Sequence, residues 1–332
     1  MSIRVSAPGK VTLFGEHAVV YGEPAIAAAI DKRVRVEAFK RADGNIRIEA
    51  RDLVLAGFKA LLSPTGSISL EGESRKVMDA LRYVKRAIEV VKEKYGVNIG
   101  AHLIITSDMP VGAGLGTSAA VAVSVIKAYS MLAGLDLSIE ECAELGYNVE
   151  LSVQGMASRM DSTVTAMGGM LYINPQSSRF YEALSCPKRL EGLVVGYVSR
   201  EASTGEMVGR VKELKNRMCE VVELIIKAIG GVTRRAKVLI ERGDVAGIGE
   251  LMNVNHGLLE AIGVSTSKLS QMVYAARSAG ALGSKITGAG GGGCIIALAP
   301  NREDEVVAAL RVIGASAFKV NLSDEGVKVE ER

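Results

Sequence analysis

The chain has 332 residues, of which 48% are hydrophobic and 23% charged, with 40 Lys and Arg set against 37 Asp and Glu. Those proportions exclude a mainly disordered chain. A net charge of only +3 excludes a broad basic field for a nucleic-acid backbone, so any phosphate has to be held locally.

At ~150 residues per domain the length suggests about two domains. A chain this long buries roughly 75% of its unfolded surface, which makes disulfides and structural metals unnecessary for stability. Cys142, Cys186, Cys219 and Cys294 stand alone with no CxxC pair, and the three histidines are scattered. Neither a zinc site nor a disulfide framework is therefore expected. The first residues, MSIRVSAPGK, carry no charged-then-apolar leader. The longest apolar stretch, Ala119 to Leu135, has Lys127 at its middle and reads as a buried helix rather than a membrane span. A soluble, cytoplasmic protein is expected. The three glutamines hint at a thermophilic source.

In chain order, IRVSA and KVTLF read as two short strands around Pro8-Gly9. Val34–Lys40 and Ile46–Ala50 alternate apolar and polar residues around ADGN, the pattern of a hairpin. Val77, Leu81, Val84, Ile88, Val91 and Tyr95 form a helical stripe that Gly96 ends. AHLIIT is a strand. A glycine-rich stretch then leads into a helix over Thr117–Leu132, and Ser138 with Glu141 makes a capping box for the next. Beyond Asn174-Pro175 the chain reads as a strand at 192–199, four helical stretches between Glu206 and Ser278, a second glycine run, the strand CIIALAP, a helix near 303–313 and the strand SAFKVNL. Two domains are expected, 1–180 and 181–332.

Four stretches could carry chemistry. In PVGAGLGTSAAV, Gly112, Gly114 and Gly116 alternate before Thr117-Ser118 opens a helix. Such glycines let backbone N–H groups close on a phosphate, and the helix N-terminus adds unpaired donors and a positive dipole end. A flexible connector is the bland alternative. In KITGAGGGGC, Gly288, Gly290 and Gly293 match a dinucleotide fingerprint only formally, because they enter a strand rather than a helix. A tight backbone approach is expected there instead. Lys10, Glu16 and His17 lie in APGKVTLFGEH. Glu150 and Asp161 are a carboxylate pair that, read alone, are a solvated helix residue and a helix cap.

Taken in order, APGK…GEH, PxGAGLGTSAA and GAGGGG resemble the three motifs of the galactokinase, homoserine kinase, mevalonate kinase and phosphomevalonate kinase (GHMP) superfamily, over nearly the whole chain. Lys10 to Asp31 is similar to the mevalonate kinase family in particular. The resemblance implies an α+β, two-domain GHMP kinase fold. Its N-terminal domain would hold a left-handed βαβ arrangement like domain two of a small-subunit ribosomal protein (S5), and its C-terminal domain would be ferredoxin-like. It implies ATP-dependent phosphorylation of the C5 hydroxyl of mevalonate, with Mg²⁺ as cofactor, in isoprenoid biosynthesis. By motif position, Asp161 and Lys10 would be catalytic. Pro110, Gly112, Ala113, Gly114, Leu115, Gly116, Thr117 and Ser118 would bind the nucleotide, and Ser118 and Glu150 the metal. Lys10, Glu16, His17, Thr204, Gly288, Ala289 and Gly290 would lie at the substrate. Glu150 and Asp161 are eleven apart, as in the family; Thr117 replaces a usual serine. The implied partners are small molecules, with no nucleic acid and no membrane, and a homodimer is admitted. Another kinase of the superfamily, or a non-catalytic binding relative, is the alternative.

Overall fold

The computed structural model describes residues 2–51, 58–62, 68–71, 75–109, 113–155, 157–186 and 190–331. In chain order it contains β1 (Ser2–Phe14), β2 (Ala25–Arg41), β3 (Ile46–Ala50), β4 (Phe58–Leu62), β5 (Ile68–Glu71), α1 (Arg75–Tyr95), β6 (Gly100–Ser107), α2 (Thr117–Leu132), α3 (Ile139–Gln154), α4 (Arg159–Met167), β7 (Met170–Ile173) and β8 (Tyr181–Ala183). There follow β9 (Leu193–Val198), α5 (Thr204–Arg217), α6 (Cys219–Arg242), α7 (Val245–Ala261), α8 (Ser267–Ser278), β10 (Gly283–Thr287), β11 (Gly293–Leu298), α9 (Glu303–Val312), β12 (Ser316–Val320) and β13 (Lys328–Glu331).

The larger sheet runs β13-β1-β2-β6-β3-β4-β5, with β7 also paired to β2 and β8 to β7. The expected pair of short strands around Pro8-Gly9 is one thirteen-residue strand. Its register against β2 slips between Pro8 and Lys10. A bulge is where a strand tolerates a proline, so the chain bends there without leaving the sheet. The slip aims Lys10 towards the start of α2, where its backbone N–H donates to the Leu115 carbonyl at 2.7 Å.

The expected hairpin of β2 with β3 does not form. β6 lies between them, antiparallel to β2 and parallel to β3. The ADGN turn does reverse the chain, with Asp43 accepting from Asn45 N–H and pairing with Arg41. Turn chemistry governs the reversal, however, and not the pairing partner. Ala101, Leu103 and Ile105 of β6 are fully buried, and inserting them between the two strands continues one apolar face across the sheet. α1 and α2 pack together and cover it, with Leu81, Val84, Ile88 and Val91 of α1 buried in the same core as Val121, Val125 and Tyr129 of α2. The apolar Ala119–Leu135 stretch is thus a core helix. Among the described residues no helix is long and apolar enough to cross a membrane.

The smaller sheet has the order β10-β11-β9-β12, all antiparallel. Its side chains alternate between two cores, as the strand period of two requires. Leu193, Val195, Cys294, Ile296 and Leu298 join the larger core, whereas Val194, Ile295 and Ala297 join one built with Leu269 and Met272 of α8 and Leu310 of α9. The four helices expected between 206 and 278 are present, broken at Met218, Gly243-Asp244 and 262–266. The last strand, β13, returns to pair with β1.

Candidate active site

Three helix starts and one strand end converge on a cleft of about 610 Å³. α2 starts at Gly116, whose φ of +71° suits a residue without a β-carbon. A Cβ there would lie 2.8 Å from Lys10 Cγ, so glycine is what lets the helix start sit against the lysine. No side chain caps α2, and an uncapped helix start favours an anion. Gly114, Gly116, Thr117 and Ser118 line the cleft at this point. The second glycine run abuts the first: a Cβ on Gly288 would lie 3.4 Å from the Gly114 carbonyl. As expected, this run leads into a strand, β11.

α3 and α4 supply the carboxylates. The Ser138–Glu141 capping box is complete in both directions. It starts α3, whose Cys142, Leu145 and Val149 are buried. Glu150 follows them inward and is only 4% exposed, which overturns its reading as a solvated residue. Its Oε2 has no hydrogen-bond partner. Burial, then the neighbouring Asp161 charge, push its carboxyl well above the usual range, while Lys10 pulls the other way. Ser158, not Asp161, caps α4 by accepting from Met160 N–H at 3.1 Å. Asp161 stands in the first turn, and its Oδ1 lies 2.9 Å from Lys10 Nζ. Lys10 Nζ also donates to Thr12 Oγ1 at 3.2 Å. The lysine is therefore buried and aimed at Asp161 over the start of α2.

His17 has φ +61°, outside the usual region for a side-chain-bearing residue. Its Nε2 lies 2.9 Å from the Ala289 carbonyl. A carbonyl can only accept, so Nε2 carries the proton. Burial lowers the pKa of the ring, and the bond to Ala289 opposes that shift. Glu16 is paired with Lys285 and accepts from Asn255 Nδ2 at 3.1 Å. Thr204 is the first residue of α5, within the Ser203–Glu206 capping box, and its hydroxyl accepts from Arg200 Nη1 at 3.0 Å.

Of the residues expected at the site, Lys10, Glu16, His17, Gly114, Gly116, Thr117, Ser118, Glu150, Asp161, Thr204, Gly288 and Ala289 all line this one cleft. Ala113 and Leu115 are buried beneath the loop. The α-carbon of Gly290 faces the Val264 carbonyl, with room for no side chain. Pro110 and Gly112 lie outside the described residues. The sequence reading missed Arg200, which lines the cleft. Burial lowers the pKa of its guanidinium, while Cys294, Asp161 and Tyr197 oppose that. It also missed the buried Lys285. For Lys285 the sequence gives no signal, because Ser284, Lys285 and Thr287 leave β10 with a single apolar side chain, Ile286.

The donor set suits a hard cation. Glu150 offers a buried carboxylate oxygen with no protein partner, and the Ser118 side chain borders the same cleft. Such ions take oxygen ligands and rely on substrate phosphates and water for the rest.

Comparison with known proteins agrees with this geometry. The model of the GHMP kinases N terminal domain matches residues 82–169, and that of the GHMP kinases C terminal region matches 236–315. The class is therefore that of the GHMP kinases. The mevalonate kinase of Thermococcus onnurineus is 48% identical over 100% of this chain and 99% of its own length, and that of Pyrococcus horikoshii 47% identical over 99% and 98%. Among solved structures, Methanococcus jannaschii mevalonate kinase superposes with a TM-score of 0.80 at 28% identity, covering 97% of this chain and 98% of the other. L. major mevalonate kinase in complex with R-mevalonate superposes with a TM-score of 0.82 at 26% identity, covering 97% and 96%. Within the GHMP kinases, the chain belongs to the mevalonate kinase family.

Proposed function

We propose that the enzyme transfers the γ-phosphoryl group of ATP to the C5 hydroxyl of mevalonate, giving 5-phosphomevalonate for isoprenoid biosynthesis. The observation that carries the reading is the Lys10–Asp161 pair, 2.9 Å apart, facing an uncapped helix start and a second carboxylate with an unpartnered oxygen. Phosphoryl transfer asks for positioning and charge neutralisation more than for covalent chemistry, and this arrangement offers both.

Asp161 orients the C5 hydroxyl and accepts its proton as the oxygen attacks phosphorus. Lys10 offsets negative charge on the transferring group. The Gly114–Ser118 backbone and the start of α2 hold the nucleotide phosphates by N–H donation. Glu150 and Ser118 would hold Mg²⁺, which would supply charge neutralisation during the transfer. Thr204 and Arg200 border the cleft from the C-terminal half, where the wall is continued by Gly288 and Ala289. Apolar groups from Val19, Met160 and Phe180 also line it, which suits a methyl-branched acid better than a sugar. We also propose that residues 1–180 and 181–332 act as two domains, with β13 returning to the first, and that the enzyme works in the cytoplasm. The cleft is formed within one chain, so the reading needs no second copy.

Coupled ADP release should be measured across mevalonate, phosphomevalonate, homoserine and galactose. Saturable, Mg²⁺-dependent turnover with mevalonate is expected. Turnover of another alcohol alone would overturn the substrate, and turnover of none would favour a non-catalytic binding protein.

A further inference from the structure

Lys285 is the most completely buried charged side chain of the described residues, with 0% of its surface exposed, and it lies outside the machinery above. It projects from β10 to Glu16 and also donates to the Ile286 carbonyl at 2.7 Å. Glu16 is itself 3% exposed, and its second oxygen accepts from Asn255 of α7, which is fully buried. A buried ion pair of this kind is a poor source of stability, because desolvating two charges offsets most of their attraction. Such pairs are better suited to fixing a register.

The register in question is visible. Lys285, Thr287 and Ala289 are spaced by two from β10 into the loop after it. Each holds one residue of the first strand and the turn after it. Lys285 holds Glu16. Thr287 exchanges two hydrogen bonds with Thr12, accepting at 2.8 Å and donating at 3.1 Å. Ala289 accepts from His17. These bonds cross from the larger sheet to the smaller one. They meet at a turn whose His17 backbone has positive φ, a conformation that persists only where the surroundings over-determine it. His17 Nε2 is committed to Ala289, so the ring has only Nδ1 left to offer the cleft it lines.

From this geometry we propose that Lys285 is a positioning residue for the phosphoryl acceptor: by clamping Glu16 it fixes the adjacent His17, whose free Nδ1 accepts a hydrogen bond from a hydroxyl of the substrate. The nucleotide cradle has its own tie to β1, the Lys10 N–H donating to the Leu115 carbonyl just before α2. The inference rests on reading the cleft as a mevalonate site.

The test is the split between the two KM values. Misplacing a positioning group by about 1 Å costs up to ~100-fold, so Lys285→Met is expected to raise KM for mevalonate roughly 10–100-fold and to leave KM for ATP within about twofold. Because this variant strands a buried carboxylate, which is destabilising, the paired change Glu16→Gln with Lys285→Met is measured beside it, with melting curves. That neutral pair should melt close to the wild type and still show the raised KM for mevalonate. A wild-type KM for mevalonate in the paired variant, or equal changes in both KM values, would overturn the inference. Failure of the wild-type enzyme to use mevalonate would overturn the substrate reading instead, and the same split would then be read on whichever alcohol it does phosphorylate.

Discussion

Replacing Asp161 by asparagine keeps the shape of the side chain and removes its ability to take a proton. A positioned general base contributes roughly 10²–10⁴ in rate, which is about 3–5 kcal/mol of barrier at 1.36 kcal/mol per decade. The structural cost is smaller and can be worked out separately. Ser158 caps α4, so the helix keeps its cap. Losing a first-turn charge costs ~0.3–1 kcal/mol. Lys10 loses its ionic partner but retains Thr12 at 3.2 Å, and leaving a buried donor under-satisfied costs ~1–3 kcal/mol. The sum, ~1–4 kcal/mol, corresponds to a fall in Tm of roughly 2–16 °C, at ~2–4 °C per kcal/mol for a large domain. The assay is steady-state kcat with mevalonate, taken well below the variant's own Tm, together with ATP binding at equilibrium. We expect kcat to fall at least 100-fold with ATP binding preserved. A folded variant whose kcat stays within tenfold of wild type would refute the assignment of Asp161 as base.

Glu150→Gln should raise the Mg²⁺ concentration for half-maximal rate, because a hard cation loses its charged ligand; an unchanged value would return Glu150 to a structural role. The same variant reports on pH. The folded-state pKa of Glu150 is raised, so as pH climbs from the ordinary carboxylate range through that raised value the native state is penalised for giving up its proton, and stability falls. In metal-free buffer the Tm advantage of the glutamine variant over wild type should therefore grow as pH rises; a constant difference would contradict this. Gly116→Ala forces a β-carbon into positive φ and against Lys10 Cγ; it should cost ~1–3 kcal/mol of stability and weaken ATP binding in a titration. Lys10→Met should reduce kcat by more than it changes KM for mevalonate, since the charge it offsets is on the transferring group; an equal loss in both would make it a binding residue only.

Much of the site is legible in the primary structure because it is local. The alternating glycines before Thr117-Ser118 and the Ser138–Glu141 box each specify a helix start within a few residues, and both are present. The helical stripe of α1 and the apolar run of α2 likewise state their own burial. The sequence was less informative where the deciding contact is distant. β6 separates β2 from β3 because pairing depends on which strand completes an apolar face, and the ADGN turn has no influence on that. Glu150 reads as a surface residue until α4 and β1 close over it. Lys285 has no evident role in the sequence until Glu16, 269 positions away, meets it. Residue type and spacing determined which groups could do chemistry here. Only the packing of the two sheets decided which of them share a cleft, which are buried without partners, and hence which carry a perturbed charge, because desolvation depends on what surrounds a group in space and not on its neighbours along the chain.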